Sequence, residues 1–307
     1  MSRKASAALE SLPCNARRPD ITMTPSHHSS PPMNLRRSIA RAISKTPLHG
    51  RLCSLARIFE RYVDASNNYN DCEFATNGEG FVVARCAPHW RLVLDVGANL
   101  ADWTLSVLAK SAAATVHCFE PSPVTYRHLT DRIGRMSNVV LHNTGIGAME
   151  GVLLFHDYGV DSGISSFFSR EGSVGKRPER VLELPITTLD AFISGHSIDH
   201  VDFVKIDTEG AEMSVLEGMA GTLSKGLIDG LQFEYGGTWI DAGRTLGSAC
   251  KFLKAKGYEV FRMQPEHLSP LQYSGSRDER YKYSNYIAAK SRAVLERWGM
   301  SVKPASG

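Results

Sequence analysis

One run limits what this chain can fold into more than any other: Leu92-Val93-Leu94-Asp95-Val96-Gly97-Ala98-Asn99-Leu100-Ala101. A short apolar strand passes into a glycine turn, and helical spacing begins at Trp103, which is how a βαβ unit opens. The rhythm persists downstream. Short apolar runs at Thr115 to Phe119, Val139 to His142, Gly151 to His156, Val201 to Ile206, Gly230 to Glu234, Tyr258 to Met263 and Ser284 to Ala289 are predicted strands. Helix-like stretches separate them at Trp103 to Ala113, Ser122 to Arg135, near Leu189, Ala211 to Leu223 and Arg244 to Lys256. Alternation of this kind predicts an α/β, Rossmann-like fold: a mostly parallel seven-stranded sheet with helices on both faces.

That domain is expected over residues 63–295, with 296–307 as a short C-terminal tail. Residues 1–33 are rich in Ser, Pro, Arg and His and lack periodicity, so a disordered basic tail is expected there. Residues 34–62 show helical spacing at Leu35, Ile39, Ile43, Leu52, Leu55, Ile58 and Phe59. This basic helical segment reads as a transit peptide, a membrane-surface helix, or the true start of the protein at Met33.

Charge is divided unevenly. Between Met1 and Tyr62 eleven Lys or Arg face only Glu10, Asp20 and Glu60, a surplus of +8 within a formal net charge of +3, so the rest is near −5. An acidic domain is a poor grip for phosphates, and no nucleic-acid partner is expected. No apolar run approaches the ~18 residues of a membrane helix. The six cysteines, Cys14, Cys53, Cys72, Cys86, Cys118 and Cys250, form no CxxC pair and no zinc-like Cys/His cluster. A reducing, cytoplasmic setting and no metal site follow as expectations; the oligomeric state is left open.

The glycine turn points to a nucleotide-like ligand without phosphates. A dinucleotide site needs a second glycine for close approach to the pyrophosphate, and here Asn99 and Ala101 follow Gly97. Asp95 at the strand end suits a cationic ligand such as the ammonium and sulfonium of S-adenosylmethionine. Glu120 closes the second strand in Cys118-Phe119-Glu120-Pro121, placed to accept two ribose hydroxyls. Asn143, just after the third strand, faces the same carboxyl-end crevice. Taken singly, Asp95 reads equally as a helix cap and Glu120 as a solvated loop acid.

A second dense motif is Asp202-Phe203-Val204-Lys205-Ile206-Asp207-Thr208-Glu209-Gly210-Ala211-Glu212. Strand alternation sends Lys205 and Asp207 to one side, at the sheet's rim. Methyl transfer to a hydroxyl needs positioning and a proton acceptor, which Asp207 or Glu209 supplies. Lys205 is either a third catalytic group or a structural partner of Asp207, and acids in a helix's first turn are also favoured by its dipole. Glu212, Glu234 at the end of the fifth strand, and Trp239 are candidate substrate contacts. So are Ser165 and Ser166, in the Gly159 to Gly175 loop expected to gate the site.

Taken together, these motifs resemble the FkbM family of methyltransferases. The resemblance rests on Asp95-Val96-Gly97-Ala98-Asn99 with Thr104 beyond, Phe119-Glu120-Pro121-Ser122-Pro123, Asn143 to Gly147, Thr188-Leu189-Asp190, Asp202 to Glu212 and Val215-Leu216-Glu217-Gly218. It covers about residues 90 to 236 and implies a class I methyltransferase fold with S-adenosylmethionine as donor. Asp95, Gly97, Asn99, Thr104, Glu120, Pro121 and Asn143 are then the cofactor residues. The implied acceptor is a hydroxyl of a sugar, glycan or secondary metabolite. The family usually has glycine where this chain has Ala101. Two other readings stand beside it: an NAD-type oxidoreductase, and a methyltransferase-like domain that binds without catalysis.

Overall fold

The structure, a computed structural model, describes Ser38 and residues 41–47, 49–159, 163–170 and 175–303. The expected basic tail, residues 1–33, lies outside them. The chain divides into two compact units, one up to Arg57 and one from Ile58. Helix α1 (His49–Ser66) buries none of its residues. Among the described residues no helix is long and apolar enough to cross a membrane.

The second unit is built on a sheet whose parallel core is β1 (Leu92–Val96), β2 (Thr115–Phe119), β3 (Val139–His142), β7 (Val201–Ile206) and β8 (Ile228–Tyr235). Between β3 and β7 the chain forms a separate three-stranded sheet of β4 (Gly145–Ile146), β5 (Gly151–Asp157) and β6 (Arg180–Thr187). After β8 come β9 (Glu259–Gln264), β10 (His267–Pro270) and β11 (Ser284–Ala289). The main sheet runs β10-β9-β11-β8-β7-β1-β2-β3, with β11 inserted antiparallel between β8 and β9. Its order reverses between β1 and β7, so the carboxyl ends of those strands open a crevice there.

Helices cover both faces: α2 (Glu79–Cys86), α3 (Asp102–Leu108), α4 (Pro123–Ile133), α5 (Leu189–Gly195), α6 (Glu212–Glu217), α7 (Ala220–Ser224), α8 (Thr238–Asp241), α9 (Leu246–Ala255) and α10 (Arg292–Arg297). Strand alternation divides the core in two. Leu94, Val96 and Ile206 pack with Leu216 and Leu253, while Val93 and Phe203 pack with Trp90, Val107 and Trp298. Trp90 stacks on Phe203 at 4.3 Å between ring centroids. Asp202 fixes the start of β1 by accepting the N–H groups of Arg91 and Leu92 at 2.7 and 2.9 Å.

The class of fold agrees with the sequence; three details differ. The main sheet has eight strands rather than seven, because β10 folds back on β9 as an edge. Its Pro270 is tolerated there because an edge strand leaves some N–H groups unpaired anyway. The helix expected over Ala211 to Leu223 is broken into α6 and α7. At the break, a Cβ on Gly218 would stand 1.9 Å from the Gly147 carbonyl oxygen. Finally, the boundary expected at residue 295 falls inside α10, and Trp298 beyond it is 1% exposed.

Candidate active site

A cavity of about 520 Å³ opens at the carboxyl ends of β1, β2, β7 and β8. The turn after β1 forms part of its wall. Gly97 has φ +83°, and a Cβ there would lie 1.8 Å from the Asp207 carbonyl oxygen, so only glycine lets the turn pass beneath β7. The N–H groups of Gly97 and Ala98 both donate to the Phe119 carbonyl at 3.0 Å, tying the turn to the end of β2. Asn99 and Ala101 follow in the left-handed region, at φ +46° and +68°.

Asp95 and Thr104, expected to touch the cofactor, do not line this cavity. Asp95 is fully buried; its Oδ2 accepts the Thr104 hydroxyl at 2.6 Å and its Oδ1 stands 3.9 Å from Lys205 Nζ. Burial pushes its carboxyl up, against Lys205 and Thr104, which pull it down. The pair braces the turn from beneath. Gly97, Asn99, Glu120 and Pro121 do line the cavity. Glu120 Oε2 accepts the Asn99 N–H at 3.1 Å and Oε1 the Ser122 N–H at 2.9 Å. Burial raises this carboxyl to about 7 against those two bonds. Asn143 lies outside the wall; its Nδ2 donates to the carbonyls of Glu120 and Pro121 at 2.9 and 3.1 Å, which sets the turn that carries Glu120.

The other end of the cavity is acidic. Asp207, Glu209 and Glu234 all line it, and one carboxylate oxygen from each lies within 4.8 Å of the others. Lys205 is buried behind them rather than in the wall. Its Nζ donates to Asp207 Oδ2 at 2.8 Å; burial opposes its charge, but Asp207 and Asp95 more than reverse that and hold the ammonium above its usual range. Of the two roles open to Lys205, the geometry supports the structural one. Glu209 is pushed up to about 8, first by burial and then by Asp207, with Arg170 opposing. Burial and its acidic neighbours, Asp207 first, place Glu234 well above the carboxylate range.

Three expected substrate contacts prove internal. Glu212 is 1% exposed, and its carboxylate accepts the N–H groups of Thr208 and Gly210 at 3.0–3.1 Å, closing the loop in front of its own helix. Trp239 lies in the core, where its indole N–H donates to the Glu234 carbonyl at 3.0 Å and fixes the end of β8. Ser166 is buried too, with Oγ donating to the Glu209 carbonyl at 2.8 Å. Ser165 does line the cavity, and its Oγ accepts the Tyr158 N–H at 3.0 Å.

Sequence reasoning passed over Arg170, Cys72, Thr144 and Tyr283, all in the wall. Arg170 Nη1 meets Glu209 Oε2 at 2.8 Å and its Nε stands 3.9 Å from Asp241 Oδ2. The one available signal was a basic residue in an otherwise polar loop. A further acidic grouping, His200, Asp202 and Asp229, is taken up by the β1 backbone and by Lys290 and Arg297.

The glycine turn, the acid at the end of β2 and the switch between β1 and β7 define a class I methyltransferase, dependent on S-adenosylmethionine. Residues 95–260 match the Methyltransferase FkbM domain, more than half of the 307 residues, and the chain belongs to that family. It is 25% identical over 199 residues to Methyltransferase 1 of Beauveria bassiana, covering 60% of this chain and 78% of that protein. To the 2-O-methyltransferase NoeI of Sinorhizobium fredii it is 26% identical over 145 residues, 44% of this chain and 59% of the other. To the hexuronic acid methyltransferase AglP of Haloferax volcanii it is 27% identical over 130 residues, 42% and 50%.

Proposed function

We propose that this enzyme transfers a methyl group from S-adenosylmethionine to a hydroxyl of a sugar, glycan or secondary metabolite. The observation that carries the reading is a single cavity with Glu120 at one end and three clustered carboxylates at the other. Glu120, Gly97, Asn99 and Pro121 would hold the donor. The chemistry of this set fits: each Glu120 oxygen has one backbone N–H and keeps lone-pair capacity for a ribose hydroxyl. Asn99 and Ala101 in place of glycines count against a pyrophosphate. The bound donor supplies an electrophilic methyl on a sulfonium. The protein's share is to orient the acceptor and take its proton, the part given to Asp207 or Glu209. The names of NoeI and AglP, a 2-O-methyltransferase and a hexuronic acid methyltransferase, support a sugar-type acceptor.

The setting proposed is cytoplasmic, with no nucleic-acid partner. Free thiols at Cys53, Cys72, Cys86, Cys118 and Cys250 support a reducing compartment. The acidic balance from residue 63 onward supports an acceptor held without phosphate contacts.

Calorimetric titration with S-adenosylhomocysteine, with NAD as control, tests the donor; labelled methyl transfer to a panel of hydroxylated sugars tests the acceptor. Binding of the first ligand alone is expected. Binding of neither would turn the reading toward a non-catalytic domain. Full turnover by both Asp207→Asn and Glu209→Gln would remove the proton-acceptor assignment.

A further inference from the structure

We propose that Glu209 is the proton acceptor of this reaction and that Arg170 is the residue that positions it. The inference rests on the hydroxyl-methylation reading above and narrows it from two carboxylates to one.

The three clustered acids are not equivalent. Asp207 Oδ2 is engaged by Lys205 at 2.8 Å, from beneath the cavity. Among the described residues Glu234 forms no ion pair, and burial together with Asp207, Glu209 and Glu212 around it favours the neutral form of its carboxyl. Glu209 alone is gripped twice by the segment at 165–170. The Ser166 hydroxyl donates to its carbonyl at 2.8 Å, and Arg170 Nη1 to its Oε2 at 2.8 Å. The grip is needed because Glu209 sits at φ +56°, a region that residues other than glycine rarely adopt. A backbone held there persists only when its surroundings over-determine it.

Arg170 is itself held. It is 8% exposed, its backbone N–H donates to the Tyr158 hydroxyl at 3.1 Å, and Asp241 lies 3.9 Å from its Nε. A guanidinium so placed gives Glu209 a fixed direction into the cavity. It also sets the charge. The groups facing Glu209 are Asp207 and Glu212 from its own segment, Glu234 from β8, Cys72 and Arg170, with Asp241 behind Arg170; Lys205 faces Asp207, and Tyr283 faces Glu234 and Asp207. Burial, Asp207 and Glu212 favour the protonated form, and Arg170 opposes them, leaving the carboxyl at about 8. A base is active when ionised, so turnover rises as pH climbs through that value. Without Arg170 only the raising influences remain, and the rise moves to higher pH.

The test is the pH dependence of kcat, with S-adenosylhomocysteine binding measured beside it, for the wild type and for Arg170→Gln, Arg170→Lys and Glu209→Gln. In the wild type the acid limb is expected near pH 8. Arg170→Gln is expected to displace it upward, each pH unit of displacement costing about tenfold in kcat at neutral pH, with recovery at higher pH. Arg170→Lys, which keeps the charge, should leave the limb near its wild-type position with a smaller loss, and cofactor affinity should hold in both. Should Arg170→Gln lower kcat equally at every pH, or leave the limb in place, the positioning role is wrong. Glu209→Gln separates the two ideas: undiminished turnover overturns the base assignment, whereas an absence of methyl transfer by the wild type to any hydroxyl overturns the reading beneath it. An Arg170→Gln chain that does not fold leaves Arg170→Lys to decide, since a limb displaced in that variant also overturns the proposal.

Discussion

The Asn99 N–H donates to Glu120 Oε2 at 3.1 Å, so the turn after β1 and the acid that ends β2 are held by each other. With Ser122 on the other oxygen, the carboxylate is oriented before any ligand arrives. Such preorganisation reduces what binding must spend on ordering side chains.

Glu120→Ala is therefore expected to weaken S-adenosylhomocysteine binding by about 1.5–3 kcal/mol, the usual range for hydrogen bonds to a charged group. That is roughly ten- to a hundredfold in Kd. Because burial raises the Glu120 carboxyl to about 7, wild-type affinity should also improve between pH 6 and about 8.5 as the better acceptor forms. Calorimetry at several pH values checks both. An unchanged Kd for the variant would end the ribose role.

Ala101 stands where the family usually has glycine, and the structure shows what that requires. Its φ is +68° and it is fully buried. The left-handed conformation costs an alanine roughly 1–2 kcal/mol relative to glycine. Two terms offset this: less conformational freedom lost on folding, about 0.4–1 kcal/mol, and a buried methyl, about 0.8 kcal/mol. Ala101→Gly is thus expected to change stability by less than about 1 kcal/mol and to leave cofactor affinity intact. Ala101→Val adds a β-branched side chain at positive φ in a full core, and should cost more than about 2 kcal/mol by urea unfolding.

Lys205 lies between two acids, 2.8 Å from Asp207 and 3.9 Å from Asp95, with little exposure of its own. Replacing it with methionine preserves length and removes the one cation among the described residues that balances Asp95. Leaving a buried charge uncompensated costs about 3–5 kcal/mol. Lys205→Met is expected to lose about that much, and the double variant Asp95→Asn with Lys205→Met to recover part of it. Equal stabilities for the single and double variants would show that Asp95 carries no charge once Lys205 is gone.

What the sequence made legible was whatever depends on local pattern. β1, β2, β7 and β8 are short, largely apolar and mostly buried runs, as strands of a parallel sheet covered on both faces are, and their last residues mark the crevice. Gly97, Asn99, Glu120, Asp207, Glu209 and Glu234 were found in this way. β6 was missed because Pro185 interrupts its alternation, and β10 because four residues with one proline carry almost no pattern. The roles of individual side chains were harder to read. Asp95, Glu212 and Trp239 sit at strand ends or helix starts, as site residues do, yet each turns inward to satisfy a backbone or buried partner. Arg170 was illegible for the opposite reason: its position in the wall depends on contacts 39 residues away in sequence.

The same buried acids give the fold a pH dependence whose sign can be worked out. Glu120 and Glu212 are raised to about 7 and Glu209 to about 8, chiefly by burial, above an ordinary value of 4.5. Between those limits the folded chain binds more protons than the unfolded one, so stability falls as pH rises. His142 works the other way, since burial pushes it down to about 4 and the unfolded chain takes up its proton below 6.5. The two trends oppose each other in that lower window and separate above it. The melting temperature is therefore expected to decline between about pH 6.5 and 8.5. Glu212→Gln removes one of the titrating groups and one of the two oxygens that accept the Gly210 N–H, so it should start from a lower melting temperature and decline less steeply. Calorimetric scans across that range check the slope. A flat profile in the wild type would mean that these carboxyls ionise in the folded chain as easily as in water.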